Sequence, residues 1–247
     1  MDYSEKNVII TGGTTGIGLA TAAAFIDAGA DVWITGRSED NLKKAAQSIN
    51  HDRLHTVLSD TSNLAGIDAL TNHLAQQDIK IDVLFLNAGI ATFAPIEQAT
   101  EADFDAQFNT NVKGHFFTLQ KLIPRLNNGA SVIFTSSTVA TATNIGTSVY
   151  SATKGALNKI AQIAANELAD RKIRVNIISP GPVETPGLEN AVPKEAIAHL
   201  AAATSLQRLG KPEEIANTVL FLASDRASFI NGTELLADGG YITYAMK

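Results

Sequence analysis

The feature that most constrains this chain is a repeated alternation. Short runs that are almost wholly apolar and β-branched recur at Val8–Thr11, Val32–Thr35, His55–Leu58, Val83–Leu86, Ser131–Thr135, Val175–Ile178 and Glu234–Leu236. A strand with one wet face alternates apolar and polar side chains, so runs without alternation belong to strands buried on both faces. Between them lie stretches rich in Ala, Leu, Ile, Lys and Gln, at Gly16–Ala28, Asp40–Asn50, Leu64–Gln77, Phe104–Leu126, Ser151–Arg171 and Glu213–Ala223. These are long enough to be helices that cross between parallel strands, which predicts an α/β chain: a doubly wound parallel sheet of about seven strands with helices on both faces. The 247 residues are 45% hydrophobic, enough for a two-sided core, and no composition break divides them, so a single domain over 1–247 is expected. One long irregular region, Pro180–Thr204, carries four prolines and then an Ala-rich helical run. A loop of that length is expected to be a lid, at about 183–205.

Composition removes several functions. Nineteen Lys and Arg against 25 Asp and Glu leave a net charge of -6, unsuited to a nucleic-acid partner. With no Cys there is no thiol nucleophile, Cys–zinc site or disulfide. His51, His55, His73, His115 and His199 lack metal-ligand spacing, so no metal is expected. The start, Met1–Asn7, has no basic and long apolar leader, and no run reaches the ~18 apolar residues of a membrane span. A cytoplasmic protein without a membrane partner is the expectation.

The first strand ends in Thr11-Gly12-Gly13-Thr14-Thr15-Gly16-Ile17-Gly18 and a helix begins. Glycines at 12, 16 and 18 permit a tight turn and close approach of a ligand. The helix start offers free N–H groups and a positive dipole end to a pyrophosphate. Leu19 stands where a nucleotide-hydrolase loop needs Lys. The turn therefore predicts a dinucleotide in a Rossmann-like fold. An NAD site would place a carboxylate after the second strand, but Gly36-Arg37-Ser38 stands there and Asp31 sits at the strand's other end. Arg37 can hold a 2′-phosphate bidentately and Ser38 can add a hydroxyl, so NADP(H) is expected. Asp60, after the third strand and before Thr61, can accept from the adenine amine or cap the next helix.

Tyr150 and Lys154 are four apart at the start of a predicted helix, hence on one face. A free phenol, with a pKa of ~10, is a poor acid–base catalyst at neutral pH, and a nearby ammonium is expected to lower it. Ser137 follows the fifth strand, where its hydroxyl can meet a substrate oxygen; Ser136 competes for that role.

Together these residues resemble the short-chain dehydrogenase/reductase family over essentially the whole chain. Asn87-Ala88-Gly89, Asn111-Val112, Pro180-Gly181 and Asp238-Gly239-Gly240 complete the likeness. Within the family the chain is similar to bacterial NADP-dependent alcohol dehydrogenases and carbonyl reductases, and also to glucose-dehydrogenase-like and 3-oxoacyl-carrier-protein reductase members. The resemblance implies Tyr150 as general acid/base, Lys154 as its electrostatic partner and ribose ligand, and Ser137 as the group orienting the carbonyl. It implies that Asn111 holds a water relaying protons through Lys154. Gly12, Thr14, Thr15, Gly16, Ile17 and Gly18 would touch the cofactor backbone. Arg37, Ser38, Asp60, Thr61, Asn87, Ala88 and Gly89 would hold its adenosine side. Pro180, Gly181, Val183 and Thr185 would cradle the nicotinamide. Many NADP-dependent members carry a basic residue inside the glycine turn; Thr14-Thr15 leaves Arg37 to act more alone.

The substrate wall is expected from Ile90, Phe93, Val139, Ile145 and Leu188, few of them near a charge. That favours an apolar ketone or secondary alcohol. A sugar meeting Thr141, Thr143 and Asn144, or a 3-oxoacyl-carrier-protein substrate, stays open, as does a non-catalytic NADP(H) sensor. The sensor would have no need of Ser137, Tyr150 and Lys154 together. The family also implies a homotetramer, with the helices around Phe104–Leu126 and Ser151–Ala169 between subunits and the tail Gly240–Lys247 (Tyr241, Tyr244) reaching a neighbour.

Overall fold

The apolar runs become seven strands: β1 (Asn7–Ile10), β2 (Asp31–Gly36), β3 (Leu54–Leu58), β4 (Ile81–Leu86), β5 (Leu126–Thr135), β6 (Arg174–Pro180) and β7 (Glu234–Ala237). The computed structural model describes residues Met1–Thr243, so Tyr244 lies outside the described residues. All strand pairings are parallel, in the order β3-β2-β1-β4-β5-β6-β7. The helices are α1 (Gly16–Asp27), α2 (Glu39–Ile49), α3 (Leu64–Gln76), α4 (Glu101–Phe108), α5 (His115–Leu122), α6 (Ser148–Glu167), α7 (Pro186–Ala191), α8 (Lys194–Ala202) and α9 (Pro212–Ala223).

Successive strand residues point to opposite faces. Ile9, Leu84, Val132 and Val175 pack on one side with Leu70 of α3, Leu119 of α5 and Leu157 of α6. Val8, Ile10, Phe85 and Ile133 pack on the other with Phe25 of α1, Leu42 of α2 and Val219 of α9. Both faces are dry, which is why the strands read as unbroken apolar runs. The order reverses between β1 and β4, and a crevice opens there at the strands' carboxyl ends.

Two stretches differ from the sequence reading. The single helix expected over Phe104–Leu126 is broken. A π-helical turn, Asn109–Gly114, separates α4 from α5, and Pro124 lies in a 3-10 turn that leads into an early-starting β5. The break has a tertiary cause. Asn111 bonds to the backbone of Ile90 rather than facing water, and Gly114 passes so close to the Thr61 carbonyl that a Cβ would lie 2.4 Å from it. The stretch Pro180–Thr204 is more regular than expected: its Ala-rich run is helical, as α8, and a further short helix, α7, precedes it. Thr185 caps α7 by accepting from Leu188 N–H at 3.1 Å, and Pro186 and Pro193 sit at helix starts, where a missing N–H costs nothing. Neither helix buries a residue fully.

Candidate active site

The carboxyl ends of the strands surround a cleft of about 1140 Å³. Its floor begins where β1 turns into α1. Gly12 has φ +65°, and a Cβ there would lie 2.8 Å from the Ala88 Cα. The Thr11 hydroxyl accepts from the N–H groups of Asn87 (2.9 Å) and Ala88 (3.1 Å). Asn87 donates through Nδ2 to the carbonyls of Thr11 (3.3 Å) and Gly12 (3.1 Å), and its Oδ1 accepts from the Thr135 hydroxyl (3.1 Å). Asn87 thus locks the glycine turn to β4 and β5 while also lining the cleft with Ala88 and Gly89.

Gly12, Thr14, Thr15, Gly16 and Ile17 line the cleft. Thr15 stands at the N-cap of α1 without making a side-chain cap bond, so the helix start is left for an acceptor from the cleft. A pyrophosphate fits this cradle. Gly18 is buried below the turn and is not among the residues lining the cleft. A Cβ there would lie 2.2 Å from the Gly12 carbonyl oxygen, so its place is to let α1 pack against the turn.

At the adenosine end, β2 delivers Gly36, Arg37 and Ser38 to the cleft, while Asp31 pairs with Asn7 at the far end of the strand. Arg37 is exposed, and Ser38 caps α2 by accepting from Asn41 N–H at 3.4 Å. Asp60 and Thr61 also line the cleft. Asp60 does not cap α3. Its carboxylate accepts from Ser62 N–H at 3.0 Å, and Asn63 is the cap, accepting from Gly66 N–H at 2.8 Å.

The i, i+4 spacing puts Tyr150 and Lys154 on the cleft face of α6, with the Lys154 Nζ 5.5 Å from the centre of the Tyr150 ring. Phe93 meets Tyr150 edge-on at 5.8 Å. Lys154 is only 2% exposed and donates to the Thr135 carbonyl at 2.9 Å. The two serines separate clearly. Ser136 is buried and donates to the Lys154 carbonyl at 3.4 Å, whereas the Ser137 hydroxyl faces Tyr150.

The expected acidified phenol is not found. Burial pushes the Tyr150 hydroxyl up to about 12, and the hydrogen bond with Ser137 offsets this only in part. Burial also takes Lys154 down to about 8. The ammonium lies over the aromatic ring and is bonded to a carbonyl, so desolvation outweighs its pull on the phenol.

Asn111 sits behind the cleft wall. It is fully buried in the π-helical turn and does not line the cleft; its neighbour Thr110 does. Its Oδ1 accepts from Ile90 N–H (2.9 Å), and Nδ2 donates to the Ile90 carbonyl (2.8 Å) and to the Thr153 hydroxyl (3.1 Å). Both amide hydrogens are therefore committed to protein. Gly89 lies between this site and the ammonium: a Cβ there would be 3.5 Å from Asn111 Oδ1 and 3.7 Å from Lys154 Nζ.

Pro180, Gly181, Val183 and Thr185 line the opposite wall. Val183 bridges to Gly210 in a parallel pair, which anchors the start of the lid. Ile90, Phe93, Val139, Ile145 and Leu188 line the remaining space, with Ile145 at the rim, 97% exposed. Among the described lining residues only Arg37, Asp60 and Lys154 are charged, and none stands on this apolar wall.

Sequence reasoning missed Asn41, Asn190 and, above all, Tyr241. The Asp238 carboxylate accepts from Gly240 N–H (2.9 Å) and Ile242 N–H (3.0 Å), and this turn brings Tyr241 into the cleft lining, where its hydroxyl accepts from Asn144 at 3.1 Å. Tyr241 therefore joins the cleft wall of its own chain. The signal was present: Asp238-Gly239-Gly240 follows β7 at the carboxyl edge of the sheet, where ligands bind. No helix among the described residues is long and apolar enough to cross a membrane.

A family model described as enoyl-(acyl carrier protein) reductase matches residues 12–242. The chain is 36% identical over 242 residues to an NADP-dependent (R)-specific alcohol dehydrogenase of Lentilactobacillus kefiri, covering 96% of each. It is 35% identical over 247 residues to a 3-oxoacyl-[acyl-carrier-protein] reductase of Thermotoga maritima, covering 98% of this chain and all of the other. A short-chain dehydrogenase from Burkholderia cenocepacia, solved in complex with NADP, superposes with a TM-score of 0.91 at 30% identity, over 98% of this chain and all of that one.

Proposed function

The chain belongs to the short-chain dehydrogenase/reductase family of oxidoreductases, and on that footing we propose that it transfers a hydride between NADP(H) and a ketone/secondary-alcohol pair. The observation that carries this reading is one cleft that holds the glycine turn, Arg37 and the Ser137–Tyr150–Lys154 group, and whose remaining wall is uncharged.

The reduced cofactor supplies the hydride. Gly12, Thr14, Thr15, Gly16 and Ile17 hold its phosphates, Arg37 and Ser38 its 2′-phosphate, Asp60, Thr61, Asn87, Ala88 and Gly89 its adenosine side. Pro180, Gly181, Val183 and Thr185 hold its nicotinamide end. Ser137 and Tyr150 both donate hydrogen bonds to the substrate carbonyl oxygen, which polarises it. A phenol held near 12 keeps its proton until negative charge develops on that oxygen, then gives it up, and the Lys154 ammonium stabilises the phenolate left behind. Ile90, Phe93, Val139, Ile145 and Leu188 orient an apolar substrate body.

Likeness to the Thermotoga reductase supports a second reading, a 3-oxoacyl thioester on a carrier protein. The uncharged wall favours the free ketone, and assays of both substrate types separate the two. Self-association of copies of this chain is supported by exposed Phe104, Phe116 and Ile163 on α4, α5 and α6, and light scattering reads it out.

Tyr150→Phe tests the chemistry. Turnover with NADPH should fall by about a thousandfold or more while NADPH affinity stays within about threefold. Turnover at the wild-type rate would refute the role of Tyr150.

A further inference from the structure

One buried ionisable side chain beside the cleft has no part in that scheme. His115, at the start of α5, is fully buried, with the Phe134 ring 6.2 Å away. Its Nδ1 lies 2.7 Å from the carbonyl oxygen of Asn111, one turn back. A carbonyl only accepts, so Nδ1 carries the proton. Nε2 makes no hydrogen bond of normal geometry, although the Leu86 backbone lies close to the ring as a second, weaker partner. Burial and the charge of Lys154 hold the ring down to about 3, so it is neutral.

An apolar ring of similar size would fill this space without burying an unpaired nitrogen. What only the imidazole adds is the Nδ1–H bond, and that bond sits at a junction. Asn111 lies inside the π-helical turn. Its amide holds both backbone groups of Ile90, a residue of the apolar cleft wall, and donates to the Thr153 hydroxyl. Thr153 in turn donates to the Tyr150 carbonyl at 2.7 Å, within the turn of α6 that carries Tyr150 and Lys154. One imidazole therefore stands behind a network reaching both the proton-transfer pair and the substrate wall.

We propose that His115 is a positioning residue: by capping the Asn111 carbonyl it fixes the π-helical turn, and through Asn111 it sets where Tyr150, Lys154 and Ile90 stand. It touches neither substrate nor cofactor. The kinetic consequences rest on the hydride-transfer reading above; the hydrogen bond does not.

Two measurements test this. Ring ¹⁵N NMR of the whole protein should show His115 as the Nδ1–H tautomer, unchanged between about pH 5 and pH 8. An Nε2–H tautomer, or a ring that titrates in that range, would overturn the proposal. Kinetically, His115→Phe should lower kcat with NADPH and a ketone by about 10- to 100-fold, as slight misplacement of reacting groups does. It should also move the alkaline limb of the pH profile down by about half a unit, because an apolar neighbour desolvates Lys154 further. His115→Gln, whose amide can reach the same carbonyl, should recover most of kcat and return the limb. A folded His115→Phe protein with wild-type kcat and limb overturns the proposal, as does a Gln variant no better than Phe. If the Phe variant does not fold, the tautomer and the Gln variant decide. If the wild-type chain turns over no ketone, the functional reading fails and the tautomer alone decides here.

Discussion

Arg37→Ala gives the sharpest test of cofactor choice. Among the described residues Arg37 is the only cation lining the adenosine end of the cleft, and the turn before it brings none, having Thr14-Thr15. A bidentate guanidinium–phosphate contact is charge-assisted, worth about 1.5–3 kcal/mol. Two observations pull the value toward the lower end. Arg37 is exposed, so water and salt screen it, and Glu39 and Asp40 in the first turn of α2 oppose an added phosphate. We expect a loss of about 1.5–2 kcal/mol, or roughly 10- to 30-fold in kcat/KM for NADPH. NADH, which has no 2′-phosphate, should change by less than about threefold. The assay is initial-rate kinetics with both cofactors at two ionic strengths, and the wild-type advantage for NADPH should shrink at high salt. A wild-type preference for NADH, or an Arg37→Ala protein with an unchanged NADPH/NADH ratio, would refute the reasoning.

Other expectations follow from the same geometry. With Lys154 at about 8, kcat/KM for reduction should fall as pH rises through about 8, and a profile flat to pH 9.5 would contradict its role as the charged partner. That fall cannot be blamed on Lys154-linked unfolding. Its folded pKa lies below the ordinary 10.5, so the unfolded chain binds more protons between about 8 and 10.5 and this group's contribution to stability rises with pH there; thermal melts across the window check the sign. Gly18→Ala sets a methyl against the Gly12 carbonyl, an overpacking worth about 1–3 kcal/mol, so Tm should drop by about 2–12 °C. Tyr241→Phe keeps the ring but loses the Asn144 bond, a net effect of ~0.5–1 kcal/mol, so KM for ketones should shift about two- to fivefold with kcat nearly constant; an unchanged KM would remove Tyr241 from the substrate wall.

The sheet was legible because its signal is local: a strand dry on both faces has to be apolar throughout, and β1, β2 and β4 say so residue by residue. The glycine turn and the Tyr150–Lys154 pair were legible for the same reason, since their meaning lies in spacing. The π-helical turn was not. Nothing within Phe104–Leu126 opposes a continuous helix strongly enough, and the break is imposed by Ile90, 21 positions before Asn111. The Tyr150 acidity was misjudged on similar grounds: spacing predicts a cation nearby, but burial depends on the whole fold, and burial dominates. Of the lid helices, α8 was read from its Ala-rich run, whereas α7 was announced by Thr185-Pro186, a helix-start signal that went unused.

The lattice around Asn87 has a bearing on how the molecule comes into being. Its bonds reach back 76 residues to Thr11 and forward 48 to Thr135, and the Asn144–Tyr241 link spans 97 more. The complete cleft therefore takes shape only once these long-range contacts are made, and topologies of this kind reach that stage slowly. A dinucleotide that recognises only the finished sheet would then shield it by mass action, about 2.7 kcal/mol at a hundredfold excess over Kd. The protein's melting temperature would thereby rise with dinucleotide concentration.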